Sequence, residues 1–134
     1  MKKVMITKVS DLKGYQPDFH QKILVREPVN SKMGSRFLLF RTSRINPGGR
    51  DEYHAHPNSE QIIYVLRGKG KMLINKKTYY VSKDMLVFIP PGVWHHIEND
   101  SKAPLHFIIV WAPPPRMVDW VPRKQRGAEK RKPG

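Results

Sequence analysis

The residues best placed for chemistry begin at His54-Ala55-His56. On a strand, residues i and i+2 project from one face, so two imidazoles would stand side by side and share one metal ion. Glu60 or Gln61 follows after a short break at Pro57-Asn58 and would add an oxygen. His95 comes much later, just past the rigid corner Pro90-Pro91-Gly92. Imidazole-rich sets suit iron, manganese, nickel, copper or zinc. There is no cysteine, which excludes thiolate ligands, disulfides and a cysteine nucleophile. A lone His-x-His is also compatible with ordinary core polar residues, so the elements that position it matter.

Those elements read as strands. Short runs rich in Val, Ile, Leu, Phe and Tyr predict strands at 4–9, 22–26, 36–45, 52–56, 60–67, 71–75, 78–81, 86–89, 94–99 and 105–111. Turn chemistry separates them, at Asn46-Pro47-Gly48-Gly49, Gly68-Lys69-Gly70, Asn75-Lys76-Lys77, Pro90-Pro91-Gly92 and Asn99-Asp100-Ser101. No long segment has a helical period. Strands at this density imply a sandwich or a closed barrel.

On these residues the chain resembles the cupin superfamily of small antiparallel jelly-roll β-barrels. The first cupin motif separates a glycine from His-x-His by five residues, as Gly48 is separated from His54-Ala55-His56. The second has the pattern of Pro90, Gly92, His95 and Asn99, with Asp84 where the family has a glycine. The resemblance covers about residues 36–112. It implies an all-β, single-domain fold and a divalent transition metal (Fe, Mn, Ni, Cu or Zn) held by His54, His56, Gln61 and His95. The family's spacing to Gly68 selects Gln61, which turns Glu60 to the opposite face. A glutamine leaves the +2 charge of the ion uncompensated, which suits an anionic or enolate-like ligand.

Strand parity supplies the walls. Ile63 and Val65 share the face of Gln61, and Ile97 that of His95, with His96 and Glu98 on the outside. Phe107, Ile109 and Trp111 are expected inward. Phe37 and Leu39, or Leu38 and Phe40, would line the opposite sheet; Arg41, the one cation expected near the cavity, falls in the Phe37 parity. His20 and His106 read as ordinary residues, and Tyr79 and Tyr80 as a strand edge or dimer face. No second carboxylate for acid–base work is expected beside the metal. That points away from a sugar-acid isomerase and toward small aromatic or dicarbonyl substrates.

The 134 residues make one domain with enough chain for a core. The longest apolar run, residues 107–115, is half the length of a membrane span. No apolar leader follows Met1-Lys2-Lys3, so a cytoplasmic protein is expected. The net charge of +14 is uneven: residues 1–47 carry +7, 48–115 carry +2 and 116–134 carry +5. A nearly neutral middle argues against a nucleic-acid groove in the core. The expected organisation is N-terminal strands at 1–35 serving a homodimer contact, a barrel with the metal site at 36–115, and a basic tail at 116–134. The function expected is a metal-dependent, dioxygenase-like enzyme on a small organic molecule. The alternatives are a non-redox isomerase or lyase, and a non-catalytic ligand-binding cupin.

Overall fold

Alternation of apolar and polar side chains is regular enough along this chain to bury one face of almost every strand. The computed structural model describes residues 3–116 and 121–122. Among them the strands are β1 (His20–Val29), β2 (Leu39–Asp51), β3 (His54–Ala55), β4 (Glu60–Arg67), β5 (Lys69–Ile74), β6 (Lys77–Ser82), β7 (Leu86–Ile89), β8 (His95–Glu98), β9 (Leu105–Ala112) and β10 (Val121–Pro122). All pairings are antiparallel. One limb of the sheet runs β1-β2-β9-β4-β7 and the other β6-β5-β8-β3-β10. They join where Arg50 of β2 opposes Glu98 of β8. The curled sheet is an antiparallel jelly-roll barrel.

β9 shows why the sheet curls around a core. Leu105, Phe107, Ile109 and Trp111 are buried, while His106, Ile108, Val110 and Ala112 are only partly covered. The buried set packs on Ile23, Val25, Ile45, Ile63, Val65 and Met72. Each such side chain contributes about 1.5–3 kcal/mol of burial. β1 belongs to this packing, because it pairs along β2 and turns Ile23 and Val25 inward.

Four sequence expectations are corrected. Residues 4–9 form no strand: Val4 and Ile6 are at least 90% exposed, and a β-prone run with no partner has no ladder to join. Asn46-Pro47-Gly48-Gly49 is not a turn but lies within β2. There β2 bulges, going from Ile45 to Arg50 while β1 goes only from Ile23 to Gln21. Gly48 takes φ +84°, a conformation glycine adopts without cost, and the bulge carries β2 from one limb to the other. The break after β4 is Gly68 alone, since Gly70 is buried inside β5. A Cβ on Gly68 would collide with the Pro104 carbonyl. The expected strand 52–56 shortens to β3, which begins at His54. Asp84 takes φ +70°, so it does serve as a turn residue in the glycine position of the second motif.

Asn99 locks the bulge. The Gly48 N–H donates to the Asn99 carbonyl at 2.8 Å, and the Asn99 N–H to Gly49 O at 2.9 Å. Its side-chain Nδ2 donates to Ile45 O (2.9 Å) and Ala103 O (2.8 Å), and Oδ1 accepts from the Ser101 N–H (2.9 Å). Asn99 is 1% exposed, so water cannot replace these bonds. Asn99→Ala is expected to cost about 1–3 kcal/mol in denaturant unfolding, because the buried Ile45 carbonyl loses this donor. A loss under about 1 kcal/mol would show that the corner is held by something else.

No helix among the described residues is long and apolar enough to cross a membrane. Most of the basic tail, residues 123–134 with Arg123, Lys124, Arg126, Lys130, Arg131 and Lys132, lies outside the described residues.

Candidate metal centre

His54 and His95 are brought together by backbone pairing, as they sit opposite each other on β3 and β8. His56 follows two residues after His54, and its carbonyl accepts from the Gly92 N–H at 2.9 Å. Gly92 sits at φ +80°, so the Pro90-Pro91-Gly92 corner anchors His56 and also starts the segment that delivers His95. All three rings are buried. Ring centroids are 4.4 Å apart for His54 and His95, 4.8 Å for His54 and His56, and 5.7 Å for His56 and His95. One ring nitrogen from each lies within 4.8 Å of the other two, so the three could hold one metal ion.

The hydrogen bonds set the tautomers. Nδ1 of His54 is 2.6 Å from Glu52 O, and Nδ1 of His95 is 2.8 Å from Val93 O. A carbonyl only accepts, so each Nδ1 carries the proton and each Nε2 keeps a lone pair. The His95 Nε2 and both ring nitrogens of His56 are buried without a hydrogen-bond partner among the described residues. Burial, reinforced by the neighbouring His95, holds the His56 imidazole down at about 3. Burial holds His95 down at about 4, and burial with the charges of His95 and His56 pushes His54 well below the usual histidine range. Buried ring nitrogens without a partner among the described residues, on His56 and His95, are costly unless something accepts their lone pairs. A divalent transition metal fits that donor set.

Gln61 is buried on the cavity side of β4, and Glu60 is exposed on the other side. Opposite Gln61 on β9 is Trp111, whose Nε1–H donates to Gln61 Oε1 at 3.1 Å. That bond fixes the amide with its oxygen toward the indole and leaves the oxygen a second lone pair.

The centre opens on a cavity of about 310 Å³. Ile63, Phe107, Ile109 and Trp111 line it, as parity indicates; so do Leu39, from the Phe37 alternative, and Arg41, which Lys32 and Arg116 join as cations not expected there. Two expectations fail here. First, the cavity wall contains carboxylates: Glu27 and Asp51 both line it, together with His20. Glu27 joins the face of Ile23 and Val25 because β1 extends along β2 to Val29. Asp51 follows the bulge, which breaks the parity count. Second, His96 is buried rather than on the surface. Its ring stands edge-on to Tyr53, with Nδ1 4.0 Å from Asp51 Oδ1.

Asp51 accepts the Ile97 N–H at 2.9 Å on Oδ1, and its Oδ2 is 4.0 Å from His54 Nδ1. Burial pushes its carboxyl up to about 8. Glu27 behaves in the opposite way. Burial alone would raise it, but the Tyr15 hydroxyl and the Arg41 guanidinium bind its carboxylate and bring it below the usual range. His20 is held down at about 4 by burial.

The chain belongs to the cupin domain family, whose model matches residues 41–111. An uncharacterized protein of Methanocaldococcus jannaschii is 36% identical over 67 residues, 50% of this chain and 54% of that protein. The chain thus spans about half the length of that relative. A glucose-6-phosphate isomerase of Thermococcus onnurineus is 28% identical, over 96% of this chain and 79% of that enzyme. Among solved structures, the polyketide cyclase RemF from Streptomyces resistomycificus superposes with a TM-score of 0.78 at 19% identity, covering 90% of this chain and 85% of that one. At that identity the likeness speaks for the fold alone.

Proposed function

We propose that this chain is a metal-dependent enzyme that binds a small organic anion and transforms it without net oxidation, as an isomerase or lyase does. The observation that carries it is the cluster of three buried, neutral histidines whose ring nitrogens converge within 4.8 Å. His54, His56 and His95 hold the ion, with Gln61 as the fourth ligand. A divalent transition metal bound there supplies a Lewis acid. The apolar walls of Ile63, Phe107 and Ile109 exclude water and strengthen every charge interaction inside. Ionisable groups in the wall, Asp51 and His20, supply the polar set that proton-transfer chemistry needs. This wall favours the non-redox reading over the dioxygenase-like one. The Thermococcus relative, named for an isomerisation, points the same way. The exposed apolar side chains of Leu86 and Phe88 on edge strand β7, with Tyr80 on β6, support a homodimer.

Elemental analysis of protein purified without added metal tests the first half of the proposal. One transition-metal ion per chain is expected. Incubation with small keto acids, dicarbonyls, aromatic acids and sugar phosphates tests the second half, with product formation and oxygen uptake followed separately. Turnover without oxygen uptake is expected, whereas stoichiometric oxygen uptake would establish the dioxygenase-like reading.

The fourth ligand has its own test. Gln61→Ala is expected to weaken metal binding by about tenfold or more, beyond any effect of Glu60→Ala. Gln61→Glu is expected to keep the metal and reduce the net charge of the site from +2 to +1. If Glu60→Ala were the more damaging change, Gln61 would not be a ligand.

A further inference from the structure

Across the cavity from the histidines, Arg41 is held in a single orientation by three contacts. Its Nε and NH2 donate to Glu27 Oε2 at 3.0 and 2.7 Å. The same carboxylate oxygen accepts the Tyr15 hydroxyl at 2.5 Å. The guanidinium carbon lies 4.9 Å from the centroid of the Trp111 ring. Trp111 in turn stands edge-on to His56, ring centroids 5.8 Å apart. One indole thus separates the guanidinium from the three-histidine cluster.

Two of the five guanidinium N–H donors go to Glu27. The Tyr15 hydroxyl is a further hydrogen-bonding partner of the guanidinium. A structural Arg–Glu pair needs no cavity, and a partly buried cation that lines a small chamber has a more specific use. The planar fork matches an oxyanion bidentately, and Glu27 and Trp111 remove the rotamer freedom that binding would otherwise cost.

We propose that Arg41 is the specificity-determining anchor of the cavity: it binds the oxyanion group, carboxylate or phosphoryl, of a small organic acid whose second oxygen function is held at the three-histidine cluster. Glu27 is a positioning residue that orients Arg41 and does not touch the ligand. The proposal rests on the metal reading for the second anchor, but the Arg41 half stands without it. A chamber of about 310 Å³ restricts the ligand to a short acid.

The probes are acetate, malonate, inorganic phosphate and neutral malonamide. Each is titrated into cobalt(II)-loaded and metal-free full-length protein. The readouts are calorimetric affinity and the ¹⁵Nε shift of the Arg41 side chain. In loaded protein malonate is expected to bind at least about tenfold more tightly than acetate or malonamide, the value of one charge-assisted hydrogen-bonded group. Arg41→Met should abolish that advantage, and Arg41→Lys should restore part of it, since charge returns without the fork. Glu27→Gln should reduce the advantage while leaving binding of cobalt itself unchanged. In metal-free protein the Nε shift should still respond to malonate or phosphate and not to malonamide. Preference for phosphate over malonate would assign the group as phosphoryl, and the reverse order as carboxylate.

If Arg41→Met leaves malonate affinity unchanged, or the Nε resonance ignores both anions in either form, the proposal is overturned. If cobalt does not bind but the Nε shift responds, the metal reading fails and the Arg41 anchor stands. Should Arg41→Met fail to fold because Glu27 is left buried and unpaired, the Arg41→Met/Glu27→Gln double variant carries the same comparison.

Discussion

His95→Ala is expected to lower metal affinity by more than about 100-fold, the upper range for losing a mere outer-sphere partner. Its Nε2 is buried and without a partner, and its Nδ1 is bound to Val93 O, so the ring is aimed and cannot swing to serve another role. His56→Leu should have the same effect on metal and the opposite effect on the metal-free fold. His56 buries two ring nitrogens with no partner among the described residues, and each unsatisfied group costs about 1–3 kcal/mol. Leucine has a similar volume and no polar atom. Metal-free His56→Leu is therefore expected to unfold at higher denaturant than metal-free wild type, by about 1–3 kcal/mol. Metal titration and urea unfolding on the same samples check both halves. A stability loss in His56→Leu would mean that its nitrogens are satisfied in solution and that the site is not held open for an ion.

Local signals were sufficient for the histidines. His54 and His56 share a face because a strand repeats every two residues, and His95 follows a corner that Pro90, Pro91 and Gly92 announce. The same period turns Gln61 inward and Glu60 outward, and does so for Phe107, Ile109 and Trp111 on β9. The Arg41–Glu27–Tyr15 group was not legible, because it depends on which strand lies beside β2. Glu27 faces the cavity because β1 pairs with β2 from His20 to Val29, a fact of topology that no local pattern contains. Pro28 lies inside β1, which an edge strand tolerates because one side of it needs no N–H donor. Asn46-Pro47-Gly48-Gly49 misled for a related reason. A bulge and a turn use the same residues, and only the pairing of Gly48 and Gly49 with Asn99 distinguishes them. His96 shows the limit of parity: pointing away from the cavity does not mean pointing at water when Tyr53 and Asp51 cover the other side.

Metal-free protein is expected to be most stable near pH 6.5 and to lose stability on both sides, for opposite reasons. On the acid side, His56 and His95 titrate at about 3 and 4 in the folded chain and near 6.5 when unfolded, and burial holds His54 well below the usual histidine range too. Below pH 6.5 the unfolded chain takes up protons that the folded chain refuses, so stability falls as pH falls. Each histidine contributes about 1.4 kcal/mol per pH unit in that window, and three together about 4. His20, depressed to about 4, adds to the same side. Asp51 acts in reverse. Its folded value of about 8 lies above its unfolded value, so its stabilisation is complete at acid pH and is lost as pH rises toward 8. With the histidines silent above pH 6.5, Asp51 alone shapes the alkaline slope, about 1.4 kcal/mol per unit downward. Urea unfolding between pH 4.5 and 8 checks both arms. Asp51→Asn should flatten the alkaline arm and steepen the acid one by about 1.4 kcal/mol per unit, because the carboxyl opposes the histidines between about pH 4 and 6.5, and His56→Leu should shallow the acid arm by about one proton's worth. Metal changes the profile in a way that separates it from the fold. Folded histidines that stay neutral down to about 4 present their lone pairs at pH 5 as fully as at pH 7. Metal affinity of the folded protein should thus be nearly flat from pH 7 to 5, where an exposed three-histidine site would already be losing its ion to protons. An affinity that falls steeply below pH 6.5 would show imidazoles in contact with water, and the buried, preorganised centre described here would have to be abandoned.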